Sequence, residues 1–559
     1  MLEHDVLVIG AGLAGMRAAI AVRDEGANAA IISKVHPVRS HSSAAQGGIN
    51  AALLDRGDDW KEHAYDTVKG SDYLGDQDAI EVMCQSAGQA LIDMEHMGVT
   101  FNRDDEGRLG TRAFGGQRRA RTFFVGDFTG QAMLHVMFEQ LVKSGVRSYE
   151  EWFVTSLIQE DGRVCGVTAL EIRTGQISAI RAKTIILCTG GLGRVFEPST
   201  NALIVTGDGM ALAYNAGARL MDMEMVQYHP TTLAGNGVLM SEAARGEGAY
   251  LLDKNGERFM EKYAPNMMEL ASRDVVSRAE YTEIAAGNGI NGCVLLDCRH
   301  LGEALILEKL SQIREIGIDL AGVDMIHDPV PIRPGMHYMM GGIKTDVDGL
   351  TNLPGVYAAG ECACVSVHGG NRLGANSLLD TIVFGQRSGV HAAQASRNVE
   401  HIEFDADTVV KQEEQRIQEI LDRPQNGDRV ASVRLDMGLT LDKNLAVYRN
   451  QAGMEETMHD LRALKERYTT VPVDNKGQIF NTDLVFALEL GFMLDCAETI
   501  TVSALERKDS RGAQARTDYP DRDDENWMKH IVTTQGEEGP EISYSPVSVT
   551  QWTPEERKY

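Results

Sequence analysis

Gly10-Ala11-Gly12-Leu13-Ala14-Gly15 is a G-x-G-x-x-G run lying between an apolar, β-branched stretch (Val6 to Ile9) and an alanine-rich one (Met16 to Val22). In such a run the first glycine permits a tight turn and the second lets backbone approach a pyrophosphate. The third lets helix and strand pack closely. Phosphates then sit at a helix N-terminus, where free N–H groups and the dipole favour anions. The acid that ordinarily holds a nicotinamide cofactor's ribose after the second strand is absent, and Ser33 and Lys34 stand there. That disfavours NAD and points to FAD. Three more glycine-rich segments agree: Thr189-Gly190-Gly191, Thr206-Gly207-Asp208-Gly209 and Ala358-Ala359-Gly360-Glu361. A long cofactor threads several sheet ends and needs close backbone approach at each.

The elements that must hold these turns follow from the pattern around them. Residues 5–33 read as strand, glycine turn, helix and second strand, a βαβ unit whose crossover implies a parallel sheet. Helices are predicted over 76–100 and 129–143, with a polar Gly- and Arg-rich loop over 102–121 between them. Residues 151–183 read as an antiparallel meander turning at Asp161-Gly162 and Thr174-Gly175. The apolar run Thr184 to Cys188, ending in Thr189-Gly190-Gly191, returns the chain to the nucleotide sheet. From about 232 to 335 the character changes to helices, short strands and many charges. Nucleotide-sheet signals resume at Pro354-Gly355-Val356-Tyr357-Ala358, so the segment between is expected to be an insertion. Residues 400–500 are helical, and the last sixty read as an irregular tail packed on neighbours or on a partner.

Composition narrows the function. With 54 Lys and Arg against 81 Asp and Glu, the net charge is -27 and the pI near 5.0. There is no basic excess to neutralise phosphates, which argues against a nucleic-acid partner. It argues equally against direct adhesion to an anionic membrane. No apolar run is long enough to span a bilayer, and the chain opens on a strand rather than a basic, apolar leader, so no signal peptide is expected. The eight cysteines form no C-x-x-C. Buried small hydrophobes are expected rather than metal ligands, and any iron–sulfur centres must lie on another chain.

Arg39-Ser40-His41-Ser42-Ser43-Ala44-Ala45-Gln46-Gly47-Gly48-Ile49 would by itself be a Ser-rich loop containing a solvated histidine. The segment nevertheless closely resembles the flavin-attachment segment of succinate dehydrogenase and fumarate reductase flavoproteins. The resemblance continues through Gln227-Tyr228-His229-Pro230-Thr231, Ser241-Glu242-Ala243-Ala244-Arg245-Gly246-Glu247-Gly248 and Ser272-Arg273-Asp274-Val275-Val276. It extends to His337-Tyr338-Met339-Met340-Gly341-Gly342, His368-Gly369-Gly370-Asn371-Arg372-Leu373-Gly374 and Ser510-Arg511-Gly512-Ala513-Gln514-Ala515-Arg516. Singly, each arginine or histidine here is more often a paired or turn-forming side chain. Their joint occurrence in family order favours the functional reading.

The resemblance implies FAD bound covalently through its 8α-methyl group at His41. It implies carboxylate binding by His229, His337 and Arg372, with Ser241 keeping a hydroxyl where the family more often has Thr. Arg273 would exchange a proton with the substrate carbon through a relay of Glu242 and Arg245. The cofactor-binding positions would be Gly10, Gly12, Gly15, Ser33, Lys34, His41, Gly47, Gly48, Asp208, Glu361, Ser377 and Leu378, and no metal site is expected. The fold implied is α/β, a Rossmann-like FAD-binding domain (1–231 and 336–395) with an inserted α+β capping domain (232–335). A helical domain (396–500) and a C-terminal domain (501–559) follow. Succinate dehydrogenase is the first expectation and fumarate reductase the alternative. The implied partners are an iron–sulfur subunit and, through it, membrane anchors, which would place the chain peripherally on the cytoplasmic face of the membrane. L-Aspartate oxidase resembles the family over the same domains but as a rule lacks the attachment histidine. A haem-bearing soluble fumarate reductase would need C-x-x-C-H, and a thiol-linked form would be decided by its partner chain. An RNA-modifying flavoprotein shares only the glycine-turn start.

Overall fold

The computed structural model describes residues 2–558. Its organising element is a seven-stranded sheet. Strand β1 (Leu2–Ile9) pairs in parallel with β2 (Ala29–Ser33) on one side and with the long strand Gln176–Leu187 on the other. Arg147–Glu150 extends the parallel set beyond β2, and Val356–Ala358 joins it against residues 185–187. The helix after the glycine turn, α1 (Leu13–Asp24), is the crossover between β1 and β2. Alternation along β1 divides its side chains between two cores. Leu7 and Ile9 pack with Met210, Leu441 and Leu490, while Val6 and Val8 pack with Leu13, Ile20 and Ile382.

The predicted meander is present as Trp152–Glu160, Arg163–Glu171 and Gln176–Leu187. Asp161 and Gly162 both have positive φ, 50° and 74°, the geometry of a two-residue hairpin whose twist matches its strands. The helices expected over 76–100 and 129–143 are Gln77–Met97 and Thr129–Ser144. The helix Asn376–Ser396 lies across α1. A Cβ at Gly385 would press on Ala14 and one at Gly389 on Ala18, so these two glycines set how closely the helices approach.

A four-stranded antiparallel sheet, in the order Val226–Leu233, Val330–Met339, Val294–Asp297 and Tyr250–Leu252, lies beside the nucleotide sheet in sequence but has its own core. That core includes Leu251, Phe259, Val276, Leu296 and Ile332. Four long helices follow: Ala406–Leu421, Val430–Leu445, Gln451–Tyr468 and Thr482–Glu506.

The last sixty residues are not an irregular tail. Lys529–Gly536 and Gly539–Pro546 form a hairpin that pairs with Leu220–Met221 and completes a five-stranded sheet. The β-branched run Ile531-Val532-Thr533-Thr534 followed by a glycine-flanked turn carries this strand signal. The surrounding Arg and Asp density hides it, and those charges are spent on buried ion pairs. Arg507 bonds Glu224 at 2.6 Å, Arg511 pairs with Asp509 and Asp524, and Arg522 pairs with Asp72. Among the described residues no helix is long and apolar enough to cross a membrane.

Candidate active site

A cavity of about 410 Å³ runs from the glycine turn of the nucleotide sheet to the residues under the four-stranded sheet. Its size falls in the range of roughly 300–1,000 Å³ of small-molecule and cofactor sites. At one end lie Gly10, Gly12, Ser33, Lys34 and Asp208; at the other lie His229, Ser241, Glu242, Arg273, His337 and Arg372. His41, Gly47, Gly48, Glu361, Ser377 and Leu378 line it as well. Val238, Leu239, Gln312 and Ile316, from the segment inserted between the nucleotide-sheet strands, contribute to its wall.

The nucleotide end shows why the sequence folds as it does. Gly10 has φ of 104° and lies against the Cys188 carbonyl, where a Cβ would collide. Gly15 lies against the Gly10 carbonyl and does not line the cavity; its role is the close packing of α1 on the turn. Gly12 caps α1 without any side chain of its own; the first helical N–H, of Leu13, donates to Ser42 Oγ at 3.3 Å. A Cβ at Gly12 would meet Ser40 Oγ at 2.9 Å. The first turn of Asn376–Ser396 opens on the same cavity through Ser377 and Leu378. Two helix N-termini on one cavity suit an anionic ligand. Gly47 and Gly48 owe their size to protein neighbours, the Phe114 ring and the Phe123 carbonyl.

Lys34 is less available than its sequence position suggested. Its three ammonium protons go to Thr206 Oγ1 at 2.8 Å, Asp208 Oδ2 at 2.6 Å and Glu489 Oε1 at 2.6 Å. Burial opposes its charge, but the two carboxylates prevail and raise its pKa. Lys34 therefore fixes Asp208 at the mouth of the helix Asp208–Asn215. Burial pushes the Glu361 carboxyl up to about 7, against one backbone hydrogen bond from Met339. His41 stands in a tight turn, His41–Ala44, and its Nδ1 accepts the Ala202 N–H at 3.3 Å. Burial and Arg194 lower its pKa to about 4, so the ring is neutral at pH 7.

At the other end, pairing of Val226–Leu233 with Val330–Met339 brings two distant histidines together. The rings of His229 and His337 lie 4.9 Å apart, tilted at 60°. His229 Nδ1 meets Thr231 N and Oγ1 at 3.2 Å, and His337 Nδ1 meets Thr200 Oγ1 at 2.8 Å. Burial, reinforced by Arg273, holds both pKa values well below the ordinary range. They are neutral, directional hydrogen-bonding groups.

Arg273 opens the helix Arg273–Ala285 and is buried. Its Nε donates to Glu242 Oε2 at 2.6 Å and its Nη1 to Gln227 Oε1 at 3.1 Å. The other oxygen of Glu242 accepts Gly115 N–H at 2.7 Å, and Arg245 Nη2 lies 3.6 Å from Oε2. Burial would raise the Glu242 pKa, but Arg273 and Arg245 overcome it and hold it at about 2. Arg372 is buried with its guanidinium 4.5 Å over the Tyr338 ring. It gives one hydrogen bond, to the Leu373 carbonyl, and its Nε has no partner. Burial, with Arg273 close by, lowers its pKa to about 9. Two guanidiniums thus flank one ionised carboxylate and a third, Arg372, lies near by with Glu242 acting on it, leaving excess positive charge and an unmet donor beside the cavity. Arg245 itself stands behind Glu242 and does not line the cavity.

Sequence reasoning did not single out Gln227 or Thr200. Gln227 Nε2 donates to Asn371 Oδ1 at 2.9 Å and to the Arg372 carbonyl at 2.8 Å. With its own oxygen on Arg273, it ties the two arginines together. Its position two residues before His229 on one strand was the available signal. Thr200 fixes His337 from a distant loop, for which no local pattern exists.

A glycine-turn nucleotide sheet opening on a pocket of arginines and neutral histidines defines an FAD-dependent oxidoreductase. Residues 5–378 match the family model described as FAD binding domain, and residues 434–559 that described as Fumarate reductase flavoprotein C-term. The chain is 45% identical to the fumarate reductase flavoprotein subunit of Mycobacterium tuberculosis, over all of this chain and 99% of that one. It is 44% identical to the succinate dehydrogenase flavoprotein subunit of Rickettsia conorii, covering 99% of this chain and 96% of that one. An E. coli quinol fumarate reductase structure superposes with a TM-score of 0.96 at 38% identity, covering 100% of this chain and 99% of that one. The chain belongs to the succinate dehydrogenase/fumarate reductase flavoprotein family.

Proposed function

We propose that this subunit oxidises succinate to fumarate, with FAD held covalently at His41, and passes the electrons to an iron–sulfur subunit that docks on membrane anchors. The observation that carries the dicarboxylate assignment is the excess positive charge of Arg273, Arg245 and Arg372 over Glu242, with the Arg372 Nε unpartnered. A dianion neutralises that excess, and arginine's planar fork matches a carboxylate. Arg372, His229 and His337 bind the two carboxylates, with the Ser241 hydroxyl at the same wall. FAD, when bound, supplies the two-electron acceptor. Its holding residues are Gly10, Gly12, Gly15, Ser33, Lys34, His41, Gly47, Gly48, Asp208, Glu361, Ser377 and Leu378, several of them acting by small size or through a neighbour.

Arg273 removes the proton from the substrate carbon adjacent to the one that loses hydride. A guanidinium hardly deprotonates in water. Here Glu242, hydrogen-bonded to Nε, takes a proton as Arg273 receives one, so no free neutral guanidine accumulates. Glu242 returns to a carboxylate by passing its proton to Arg245, which accepts it only as it gives up one of its own toward solvent. Gln227 holds the Arg273 fork in line, and the cap wall of Val238, Leu239 and Ile316 keeps water from the reacting carbon.

For His41, the Ala202 N–H on Nδ1 supports Nε2 as the bonding nitrogen, because an Nε2-substituted imidazole keeps its lone pair on Nδ1. Intact mass and in-gel flavin fluorescence of the denatured chain, beside His41→Ser, test the linkage. The FAD-sized increment should be present in the native chain and absent in the variant. Flavin that washes out of the native chain would refute the linkage. Succinate oxidation with an artificial acceptor should be abolished by Arg273→Gln while FAD stays bound, and substantial retained turnover would refute the relay.

A further inference from the structure

Among the described residues, Ala375 is the one non-glycine residue at positive φ that lines the cavity, with φ of 65° and ψ of -2°. An alanine in the left-handed region carries a steric cost and has no polar side-chain group to offset it. The turn it makes joins two parts of the site. Arg372 stands three residues before it; Ser377 and Leu378, in the first turn of the helix Asn376–Ser396, stand two and three residues after it. The backbone angle at Ala375 therefore sets how Arg372 is aimed relative to that helix N-terminus.

What holds this angle comes from outside the segment. Asn50, on the strand Ile49–Asn50 and opposite Thr122, is 0% exposed. Its Nδ2 donates to the Gly374 carbonyl at 2.7 Å and to Asn376 Oδ1 at 2.8 Å, and its backbone N–H donates to the Ala375 carbonyl at 3.3 Å. Its Oδ1 accepts from Thr122 Oγ1 at 2.6 Å and from Gln117 Nε2 at 3.0 Å. Both amide protons and both oxygen lone pairs are thus used. Gln117 Nε2 reaches the Gly374 carbonyl as well, at 3.2 Å. From the helix Trp60–Gly70, His63 Nε2 donates to Asn376 Oδ1 at 3.0 Å, and Thr67 Oγ1 accepts from Asn376 Nδ2 at 3.1 Å. Burial and Arg121 lower the His63 pKa to about 4, so it gives that proton as a neutral ring. Neither Asn50 nor His63, Thr67, Gln117 or Asn376 lines the cavity. A strained residue persists only where its surroundings over-determine it, and here residues 374, 375 and 376 are each bonded to Asn50.

We infer that Asn50 is a positioning residue for dicarboxylate turnover: it clamps Gly374, Ala375 and Asn376 so that Arg372 and the N-terminus of the helix Asn376–Ser396 keep the spacing the reaction needs. This role rests on the dicarboxylate and FAD reading above. Asn50 touches neither ligand and acts through the backbone of the turn. A misplacement of about 1 Å in a group that positions a reacting molecule is enough to cost about 10²-fold in rate. A carboxylate still reaches a guanidinium displaced by that much. The clamp therefore bears on the chemical step more than on binding.

The test uses the full FAD-loaded chain with Asn50→Ala, Ala375→Gly and the double variant. Four quantities are followed: FAD content, the dissociation constant of malonate (a dicarboxylate that cannot be dehydrogenated), the rate of flavin reduction by succinate on rapid mixing, and amide hydrogen exchange over residues 370–380. In Asn50→Ala the reduction rate should fall about tenfold to a hundredfold, with FAD content unchanged and malonate affinity within about threefold of wild type. Exchange should quicken over residues 370–380. Glycine adopts positive φ without the penalty an alanine bears, so Ala375→Gly in the Asn50→Ala chain should recover about fivefold or more of the lost rate. Asn50→Ser keeps a hydroxyl for Thr122 and Gln117 but stops short of Gly374 and Asn376, and it carries the same predictions should the alanine variant fail to fold. A wild-type rate and exchange pattern in Asn50→Ala would overturn the inference. So would a loss that Ala375→Gly does not relieve, or one accompanied by loss of FAD, because Asn50 would then be holding up the fold rather than aiming the turn. A wild-type chain whose flavin is reduced by no dicarboxylate would instead refute the function proposed above, and this role of Asn50 would fall with it.

Discussion

Replacing Glu242 with Gln keeps the side-chain volume and removes the negative charge between Arg273 and Arg245. Holding a buried carboxyl at about 2 against an ordinary 4.5 corresponds to about 3 kcal/mol of favourable interaction in the ionised form. Stranding two buried guanidiniums costs a similar amount, about 3–5 kcal/mol. The sign follows from the depressed pKa. The contribution is complete above pH 4.5 and is lost as pH falls through about 2. At pH 7 the variant should therefore be less stable by about 3 kcal/mol, and near pH 2 the two proteins should converge. In a chain of 559 residues that shifts a melting midpoint by only about 3 °C, so denaturant midpoints over a pH series give the better measurement. Turnover responds far more strongly, because the relay loses the group that receives the Arg273 proton. A fall in kcat of about 10²–10⁴ is expected, with FAD content unchanged. Wild-type midpoints at pH 7 together with wild-type turnover would show that the Arg273–Glu242–Arg245 triad is neither a structural nor a catalytic unit.

Two further outcomes follow from ion pairs the chain brings together over long distances. Arg557 donates to Asp274 at 2.6 Å and lies 2.9 Å from Asp72, tying the C-terminal segment to the residue that follows Arg273. Arg557→Gln should cost about 2 kcal/mol, since Asp274 keeps Arg278 and Ser272. It should also lower kcat more than it changes KM, with Lys restoring part of the loss; unchanged kcat and stability would contradict this. His530 is buried between Asp222 at 2.7 Å and Asp76 at 3.2 Å, and although burial opposes the charge the two carboxylates raise its pKa to about 10. Its stabilisation is complete below the ordinary 6.5 and declines as pH rises toward 10. Denaturant midpoints should fall over that window in wild type and less steeply in His530→Gln; equal slopes would refute the assignment.

Much of this protein was legible locally. The glycine run, the β-branched strands around it and the Asp161-Gly162 hairpin each depend on residues a few positions apart, where φ preference and side-chain alternation act directly. The burial of all eight cysteines likewise follows from their type and scarcity. The C-terminal hairpin was missed because charge density masked a short β-branched run, and those charges are neutralised only once Glu224, Asp72 and Asp274 are folded against them. The chemistry of the site is of the second kind. His229 meets His337 because two distant strands pair with a register shift, Gln227 opposite Tyr338 and Tyr228 opposite Met336, which leaves His337 between them. Arg273 meets Glu242 across 31 residues. Sequence supplied the residue types, since the polar groups that can bind a carboxylate or carry a proton are set by covalent structure. Tertiary packing decided their charge states, because the Glu242, Arg372 and Glu280 pKa values are set by burial and by neighbours that only the fold brings within reach.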